Sequence, residues 1–493
     1  MRYFFIITSI ASFLFLTNAS FAQSSPYTEA QPAYKWYIAG QQTVAKSTQL
    51  SPSQKRAKNI ILFVGDGMGI STITAARILQ GQQQKQAGEE AQLSFEKFPY
   101  VALSKTYNVN QQVPDSAGTA TAMLTGVKTN AGVLSVDETV KLSDFKQVPG
   151  HTLKTLFEEA EDWGMATGIV ATARITHATP AAGYAHTSHR DWESDSQLPE
   201  AAKKAGVADI ALQLIEFPHG DGINLILGGG RNYFLPKAEQ QGIRADERNL
   251  VKEWEKKYPD GVFVDNNKGF DAIDWKKTNH VLGLFNGSHM NHNADRNNGP
   301  EGEPALSDMT AKAITFLSRN PQGYVLLVEA GRIDHAHHEG NAYRALTDTI
   351  ELSKAVEIAT KMTSDQDTLI IVTADHSHVM SMNGYPVRGN PILGKVMEWN
   401  ETTGELQMTK DKNGLPYTTL QYANGPGARE RVDLSNIDTT NPEYLQDALI
   451  PLESETHGGE DVAVFAQGPG AQWVHGVMEQ NVIYHIIREA LGR

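Results

Sequence analysis

Three acidic residues follow apolar segments of strand length, and their positions indicate one common site. Asp66 comes after NIILFVG, Glu329 follows YVLLV, and Asp375 follows LIIVTA. If these segments are parallel strands, their carboxyl ends meet at one edge of the sheet, where open α/β sheets bind ligands. Carboxylates crowded there would raise one another's pKa and destabilise the fold, and a cation would relieve this. Singly, each acid could be a helix N-cap or a loop residue; together they indicate a metal site.

Histidines close to Asp375 and Asp334 indicate which metal the site would bind. His376 directly follows Asp375, and the segment RIDHAHH contains both Asp334 and His338. Asp334 and His338 are four residues apart, so one turn of helix would point both side chains the same way. His457 lies in a Gly-flanked segment, ETHGGED, before the last apolar strand segment. Imidazole with carboxylate suits zinc, whereas carboxylate with hydroxyl suits magnesium.

A candidate nucleophile is Ser116, in the segment PDSAGTATAMLTG. The small residues after it would let a ligand approach closely, and a helix beginning here would favour an anion at its amino end. A free serine hydroxyl is a poor nucleophile, but coordination to a metal lowers its pKa. The alternative is that Ser116 or Asp115 only caps the helix.

The segment ITHATPAAGYAHTSHRDW adds residues that suit a phosphate group. His177 and Thr179 lie at the end of the predicted strand GIVATAR, and Arg190 follows at a distance. A guanidinium group is the preferred bidentate partner of a phosphate. The alternative is that Arg190 is an ordinary surface residue.

The elements that must position these side chains alternate between helices and apolar strands. Residues 59–84 read as strand, Gly-rich turn and helix, and later helical stretches are each followed by an apolar run. Continuous apolar strands alternating with helices indicate a parallel sheet that is covered on both faces. We therefore predict an α/β fold with a large, mostly parallel central sheet and helices on both faces.

Several regions fall outside this alternation. Residues 286–303 are polar and rich in Gly and Asn, which predicts a loop, and we expect no metal at its His289 and His292. Residues 384–453 are rich in turn signals, which predicts an inserted subdomain of loops and short strands. A periodic stretch at 32–45 predicts a helix outside the main core. The histidines interpreted as ordinary surface or core residues are His219, His280, His475 and His485.

The composition excludes several classes of protein. The chain has 493 residues, with 57 acidic and 43 basic side chains and a formal charge of −14. This acidic balance argues against a nucleic-acid-binding role. The absence of cysteine excludes thiol nucleophiles, disulfides and cysteine-bound zinc. Any metal chemistry must therefore use His, Asp and Glu.

The first 22 residues predict a secretory signal peptide. Arg2 precedes an apolar run at 3–17 that is too short to span a bilayer comfortably, and residues 20–22 fit the cleavage pattern. The alternative, an N-terminal membrane anchor, is disfavoured by this length. We expect an exported protein, periplasmic or extracellular, with no membrane anchor in the mature chain. The predicted parts are the signal peptide (1–22), an N-terminal helical arm (23–52), an α/β domain (53–383 and 454–493) and the inserted subdomain (384–453).

Six segments, in this order and spacing, resemble the alkaline phosphatase family. They are GDGMGISTITAARIL, VPDSAGTATA, HATPAAGYAHTSHR, VEAGRIDHAHHEGNAYRAL, TADHSHV and ETHGGEDVAVFAQGPG. The resemblance extends from about residue 32 to the C terminus and is closer to the animal-type branch than to the enterobacterial one. Each motif alone is only indicative, but six in order are highly specific.

The resemblance implies a phosphomonoesterase with two zinc ions and one magnesium ion. The ligands of the first zinc would be Asp334, His338 and His457. Those of the second would be Asp66, Asp375 and His376. Those of magnesium would be Asp66, Thr179 and Glu329.

The same resemblance implies roles for four further side chains. Ser116 would be the nucleophile that forms a covalent phosphoserine, and Arg190 would hold two phosphate oxygens. His177 would lie beside the metals, where enterobacterial enzymes carry an aspartate, and His335 would lie near the first zinc. The family also implies a homodimer, with the 384–453 insertion corresponding to its crown at the dimer contact.

Departures from the family pattern limit what is carried over. Animal-type enzymes often bind a structural calcium, but Asn286 and Ala205 stand where acidic residues are expected. These two residues argue against a calcium site in this chain. The family's disulfides and membrane anchor have no counterpart in the sequence.

Two other classes of function compete with this interpretation. A phosphodiesterase or sulfatase is disfavoured, because such sulfatases need a C/S-x-P-x-R context that DSAGTA does not provide, and phosphodiesterases commonly use threonine as the nucleophile. A non-catalytic binder of zinc or phosphate would be expected to lack some catalytic position, and none is missing here.

Overall fold

The computed structural model describes residues 35–239 and 241–493, in two units divided between residues 51 and 52. The predicted signal peptide lies outside the described residues. The first unit contains the helix α1 (Lys35–Ser47), none of whose residues is buried. A helix was predicted at 32–45, so its described part is confirmed and its end lies two residues further on. No helix among the described residues combines the length and the apolar character needed to cross a bilayer.

The second unit contains the remaining helices and all strands of the described chain. The helices are α2 (Ile70–Gln83), α3 (Ser116–Thr125), α4 (Leu156–Asp162), α5 (Ala178–Ala181), α6 (Glu200–Lys204), α7 (Ile210–Glu216), α8 (Leu250–Lys257), α9 (Asn267–Ala272), α10 (Leu306–Leu317), α11 (Arg332–His338), α12 (Ala342–Met362) and α13 (Val482–Leu491). The strands are β1 (Asn59–Gly65), β2 (Tyr100–Lys105), β3 (Ala166–Arg174), β4 (Leu225–Gly229), β5 (Val262–Val264), β6 (Val281–Leu284), β7 (Tyr324–Ala330), β8 (Thr368–Ala374), β9 (Ser377–His378), β10 (Met380–Met382), β11 (Met397–Trp399), β12 (Leu406–Met408), β13 (Leu420–Gly425), β14 (Ala448–Pro451), β15 (His457–Gly458), β16 (Val462–Gln467) and β17 (Val477–Glu479).

A ten-stranded sheet in the described chain confirms the predicted fold. Its strand order is β17-β2-β16-β8-β1-β7-β3-β4-β6-β5. The strands from β8 to β5 run parallel to their neighbours, whereas β16 pairs antiparallel with both β8 and β2. The sheet is therefore mostly parallel, and β1 lies inside it between β7 and β8.

Helices cover both faces of this sheet because its strands are apolar on both sides. Along β1, Ile61 and Phe63 belong to one buried cluster, which includes residues of α2, α10 and α12. Ile60 and Leu62 belong to the other cluster, which includes residues of α3, α4 and α13. Burial of one such side chain contributes about 1.5–3 kcal/mol, so both faces stabilise the sheet that carries the site.

The two regions that break the α/β alternation have little regular structure. Residues 286–303 contain neither helix nor strand, as predicted. Residues 384–453 contain the antiparallel pair β11–β12, together with β13 and β14, which join β10 in a three-stranded sheet. The boundaries of the inserted subdomain at 384 and 453 remain a prediction.

Candidate metal and phosphate site

The register of the central strands brings three carboxylates to one edge of the sheet. Val64 of β1 pairs with Glu329 of β7, and Gly65 pairs with Ala374 of β8. Asp66 and Asp375 are the next residues of their strands, so they lie at the same edge as Glu329. All three side chains are fully buried. The three acidic residues that follow strands in the sequence therefore lie together in the structure.

Several oxygens of this cluster have no hydrogen-bond partner within the described chain. Neither carboxylate oxygen of Asp66 or Glu329 makes a hydrogen bond, and neither does the hydroxyl of Thr179. Burial and the charge of Asp375 raise the pKa of Glu329 to about 8 and that of Asp66 well above its usual range. Buried oxygens are normally satisfied, and an all-oxygen set of this kind fits a hard cation such as magnesium.

A second group of side chains has the spacing of zinc ligands. Asp334 Oδ1 lies 3.3 Å from His338 Nε2 and 3.3 Å from His457 Nε2, and the two ring nitrogens lie 3.1 Å apart. Tetrahedral zinc with ligand distances of about 2.0–2.1 Å places its ligand atoms roughly 3.3 Å from one another. The three atoms therefore fit three corners of a zinc tetrahedron.

A third group of side chains surrounds the Nε2 atom of His376. This nitrogen lies 3.4 Å from Asp66 Oδ1, 3.2 Å from Asp375 Oδ2 and 3.2 Å from Ser116 Oγ. Asp66 is thus close to both the His376 group and the oxygen group around Glu329. The Ser116 hydroxyl lies beside this group, in contact with His376.

Backbone contacts at Nδ1 fix the ring orientations of His338, His376 and His457. Each Nδ1 contacts a backbone carbonyl oxygen, so Nδ1 carries the proton and Nε2 presents a lone pair. The pairs are His338 with Glu455 O (2.5 Å), His376 with Ser377 O (3.2 Å) and His457 with Pro114 O (2.7 Å). Metal-binding histidines are usually held in this way. The Nε2 atoms of His338 and His457 lie 3.1 Å apart, and with both Nδ1 atoms engaged, a cation beside them would contact both.

Two residues of the site were missed in the sequence. His378 Nε2 lies 2.8 Å from Asp334 Oδ1, and its Nδ1 lies 2.5 Å from Glu455 Oε2. Burial alone would lower the pKa of His378, but Glu455 and Asp334 raise it to about 10, so the ring is an imidazolium that holds Asp334 in place. A Cβ on Gly67 would lie 2.3 Å from the His378 ring, so only glycine fits there. The available signal was the two-residue spacing of the histidines in DHSH, which puts alternate side chains on one side of an extended chain.

Ser116 begins α3, and Asp115 caps that helix. The Asp115 carboxylate accepts a hydrogen bond from Gly118 N at 3.2 Å, so the capping role falls to Asp115. Ser116 is buried, and its hydroxyl faces His376. The small residues after Ser116 permit close packing, as at Gly118, where a Cβ would lie 2.2 Å from the side-chain amide nitrogen of Asn108. The amino end of a fully buried helix is thus directed at the site, where it favours an anion.

Arg190 reaches the same place from a distant loop. Its Nη1 lies 3.1 Å from Asp115 Oδ2, and its Nη2 lies 3.0 Å from His177 Nε2. His177 is close to Asp66 and Glu329. The ring of His335 lies beside that of His177, with 5.4 Å between their centroids. The structure therefore places all twelve candidate residues of the sequence analysis in one region.

Comparisons with known proteins identify the family. The family model described as "Alkaline phosphatase" matches residues 57–493. The tissue-nonspecific alkaline phosphatase of Gallus gallus is 45% identical over 504 aligned positions, which cover 99% of this chain and 93% of the relative. The alkaline phosphatase of Gadus morhua is 45% identical, covering 94% of this chain and 98% of the relative.

Solved structures agree on the fold. The alkaline phosphatase of Thermus thermophilus superposes with a TM-score of 0.65 at 23% identity, covering 90% of this chain and 94% of that one. The enzyme of the Antarctic bacterium TAB5 gives a TM-score of 0.61 at 23% identity, covering 89% and 99%. The metal-ligand spacing, the family match and the 45% identity lead to one conclusion: the chain belongs to the alkaline phosphatase family and is a metal-dependent phosphomonoesterase.

Proposed function

We propose that the chain hydrolyses phosphate monoesters through a covalent phosphoserine at Ser116, at a site for two zinc ions and one magnesium ion. The observation that carries this proposal is the geometry around His376 and Asp334. The atoms of Asp334, His338 and His457 have the spacing of zinc ligands, and Asp66, Asp375 and the Ser116 hydroxyl all lie 3.2–3.4 Å from His376 Nε2.

The residues fit the three ions as follows. The first zinc would be held by Asp334, His338 and His457. The second would be held by Asp66, Asp375 and His376. Magnesium would be held by Asp66, Thr179 and Glu329. When bound, the ions lower the pKa of a hydroxyl or water and stabilise charge on the transferred phosphoryl group and the leaving oxygen.

The protein residues position and attack the substrate. Ser116 Oγ attacks phosphorus in line with the ester oxygen; the P–Oγ bond forms, the P–O ester bond breaks, and the alcohol leaves. Water then attacks phosphorus, breaks the P–Oγ bond and releases inorganic phosphate. Arg190 presents two N–H groups to two phosphate oxygens, and the amino end of α3 adds a favourable field. Asp115, 3.1 Å from Arg190, orients that guanidinium.

Replacing Arg190 with alanine should weaken phosphate binding while leaving measurable hydrolysis. Hydrogen bonds to charged groups contribute about 1.5–3 kcal/mol, so the inhibition constant for inorganic phosphate should rise about 10- to 100-fold. Steady-state kinetics with phosphate as competitive inhibitor measure this. The matched control is Arg190→Lys, which keeps the charge but loses the bidentate geometry and should give an intermediate value. An unchanged inhibition constant for Arg190→Ala would contradict the assignment.

The calcium site of the animal-type branch does not fit the residues of this chain. The buried carboxylate of Glu303 accepts hydrogen bonds from Asn286 Nδ2 at 2.6 Å, from Asn291 Nδ2 at 3.0 Å and from Asn291 N at 2.9 Å. Calcium binds oxygen ligands, but Asn286 directs N–H groups at this carboxylate, and Ala205 offers no side-chain oxygen. Adding calcium to enzyme saturated with zinc and magnesium should leave the melting temperature unchanged, as scanning calorimetry would measure. A clear rise would contradict this, and the double variant Ala205→Glu with Asn286→Glu is the comparison expected to gain a response.

We also infer that the enzyme is a homodimer. The region 384–453 exposes large apolar side chains, including Tyr385 (92% exposed), Leu449 (83%) and Trp399 (62%), which is typical of an interaction surface. Sedimentation equilibrium should give twice the mass of one chain. Leu449→Asp should favour the monomer, whereas a substitution at exposed Tyr107, outside this region, should not. A wild-type monomer at micromolar concentration would contradict the inference.

Export is proposed on the pattern of residues 1–22 alone. Amino-terminal sequencing of the protein recovered from outside the cytoplasm should start at Gln23.

A further inference from the structure

The side chain of Gln480 contacts the site from the carboxyl-terminal part of the chain. Gln480 lies between β17 and α13, and its side chain is buried. Its Nε2 donates a hydrogen bond of 2.7 Å to the backbone carbonyl oxygen of Asp375. Its Oε1 is also buried and has no hydrogen-bond partner in the described chain. The buried amide group is therefore held by its contact with Asp375.

This hydrogen bond holds the peptide unit that joins Asp375 to His376, two of the proposed ligands of the second zinc. The N–H of the same peptide unit donates to Asp375 Oδ1 at 2.8 Å, and Gly67 N donates to that oxygen at 3.0 Å. Because a peptide unit is planar, a rotation of its carbonyl would also rotate its N–H and so move the Asp375 carboxylate. Gln480 therefore helps to orient Asp375 Oδ2 and His376 Nε2, which lie 3.2 Å apart.

The two residues that flank Gln480 join the same segment to α3, the helix that carries the proposed nucleophile. Asn481 Nδ2 donates to the carbonyl oxygen of Gly126 at 2.9 Å, directly after the last residue of α3. Glu479 Oε2 lies 2.8 Å from Lys128 Nζ, two residues further along the chain. Three consecutive side chains thus hold the end of β8 and the segment that follows α3. This arrangement fixes Gln480 relative to both elements that supply the site.

We propose that Gln480 is a positioning residue for phosphate-ester hydrolysis, acting through the peptide bond between Asp375 and His376. The inference rests on the proposed function, which assigns those two residues to the second zinc. The amide of Gln480 bonds to a backbone carbonyl, so its effect on the reaction passes through the orientation of the two side chains. Arg190 lies on a separate loop, and the inhibition constant of inorganic phosphate should therefore change less than turnover does when Gln480 is replaced.

The test measures zinc retention and turnover on the intact, metal-loaded enzyme. In Gln480→Met, a side chain of similar length leaves the Asp375 carbonyl without its donor. Loss of an outer hydrogen bond around a metal ligand costs about 10- to 100-fold in metal affinity or activity, so a chromogenic chelator should remove zinc at least about tenfold more readily than from the wild type. Turnover should fall in the same variant.

The matched control is Gln472→Met. Gln472 Nε2 also donates to a backbone carbonyl oxygen, that of Ser53 at 3.2 Å, and its Oε1 is likewise buried without a partner in the described chain. This variant should retain zinc and turnover like the wild type, even where its melting temperature falls as far as that of Gln480→Met. Zinc loss confined to the Gln480 variant separates positioning from general destabilisation.

A second variant makes the result independent of one substitution. Gln480→Glu keeps the shape of the side chain but replaces the donor with an oxygen, so it should also weaken zinc retention and lower turnover. Zinc retention equal to that of the wild type in both Gln480 variants, or an equal loss in Gln472→Met, would overturn the proposal. A wild type that binds zinc but hydrolyses no phosphate ester would instead refute the proposed function, and the comparison of zinc retention would stay valid.

Discussion

The Ser116→Ala variant should lose turnover by about a thousandfold or more, because no other hydroxyl takes the place of the nucleophile. The change removes one buried oxygen that lies 3.2 Å from His376, and it leaves the proposed metal ligands untouched. We therefore expect the fold and the metal content to stay close to those of the wild type. Steady-state hydrolysis of p-nitrophenyl phosphate measures the loss, and elemental analysis measures the metals.

The covalent step has a direct readout. Acid quenching of the wild type with a ³²P-labelled monoester should leave label on the peptide that contains Ser116, and the variant should carry none. Ser104→Ala is the matched control, because Ser104 is a buried serine of β2 whose hydroxyl has no partner in the described chain. Near-normal turnover of Ser116→Ala, or label on another residue, would contradict the mechanism.

Removal of the metals should abolish activity and destabilise the protein. Metal ions supply several kcal/mol of transition-state stabilisation, so chelation should lower turnover about a thousandfold or more. Zinc with magnesium should restore it, and calcium alone should not. Activity that persists with less than one ion per chain would contradict the proposal.

The stability of the chelated protein should depend on pH in a defined direction. Without ions, burial and Asp375 raise the pKa of Glu329 from 4.5 to about 8, and that of Asp66 also rises. A carboxyl of this kind stabilises the folded state while it is protonated, fully below pH 4.5, and this stabilisation is lost as the pH rises through about 8. The melting temperature of the chelated protein should therefore fall more steeply between about pH 4.5 and 8 than that of the metal-loaded enzyme. Equal slopes would show that the carboxylates do not depend on the ions.

The strand-end acids could be predicted from the sequence because strand periodicity fixes where they lie. Asp66, Glu329 and Asp375 each follow or end an apolar run, and parallel strands bring such positions to one edge. The helical spacing of Asp334 and His338 is similarly local. These inferences need only short-range sequence information, and the structure agrees with them.

Other parts of the site could not be derived from local patterns. Thr179, Arg190 and His457 come from segments far apart in the chain; their local patterns marked them only as candidates, and the family resemblance grouped them with particular partners. Glu455 contacts His378 across such segments too, so this contact depends on tertiary packing that the sequence does not display. The antiparallel pairing of β16 could likewise not be predicted, because an apolar strand of this length can pair in a parallel or an antiparallel direction.

Asp66 belongs both to the group around His376 and to the oxygen group around Glu329. One carboxylate that serves two ions makes their binding equilibria interdependent, and by reciprocity each ion changes the affinity of the other by the same factor. On the proposed assignment, occupancy of the His376 position would set how tightly magnesium is retained, and depletion of magnesium would alter zinc affinity. The occupancy of each position would therefore depend on the concentrations of both metals in the surroundings.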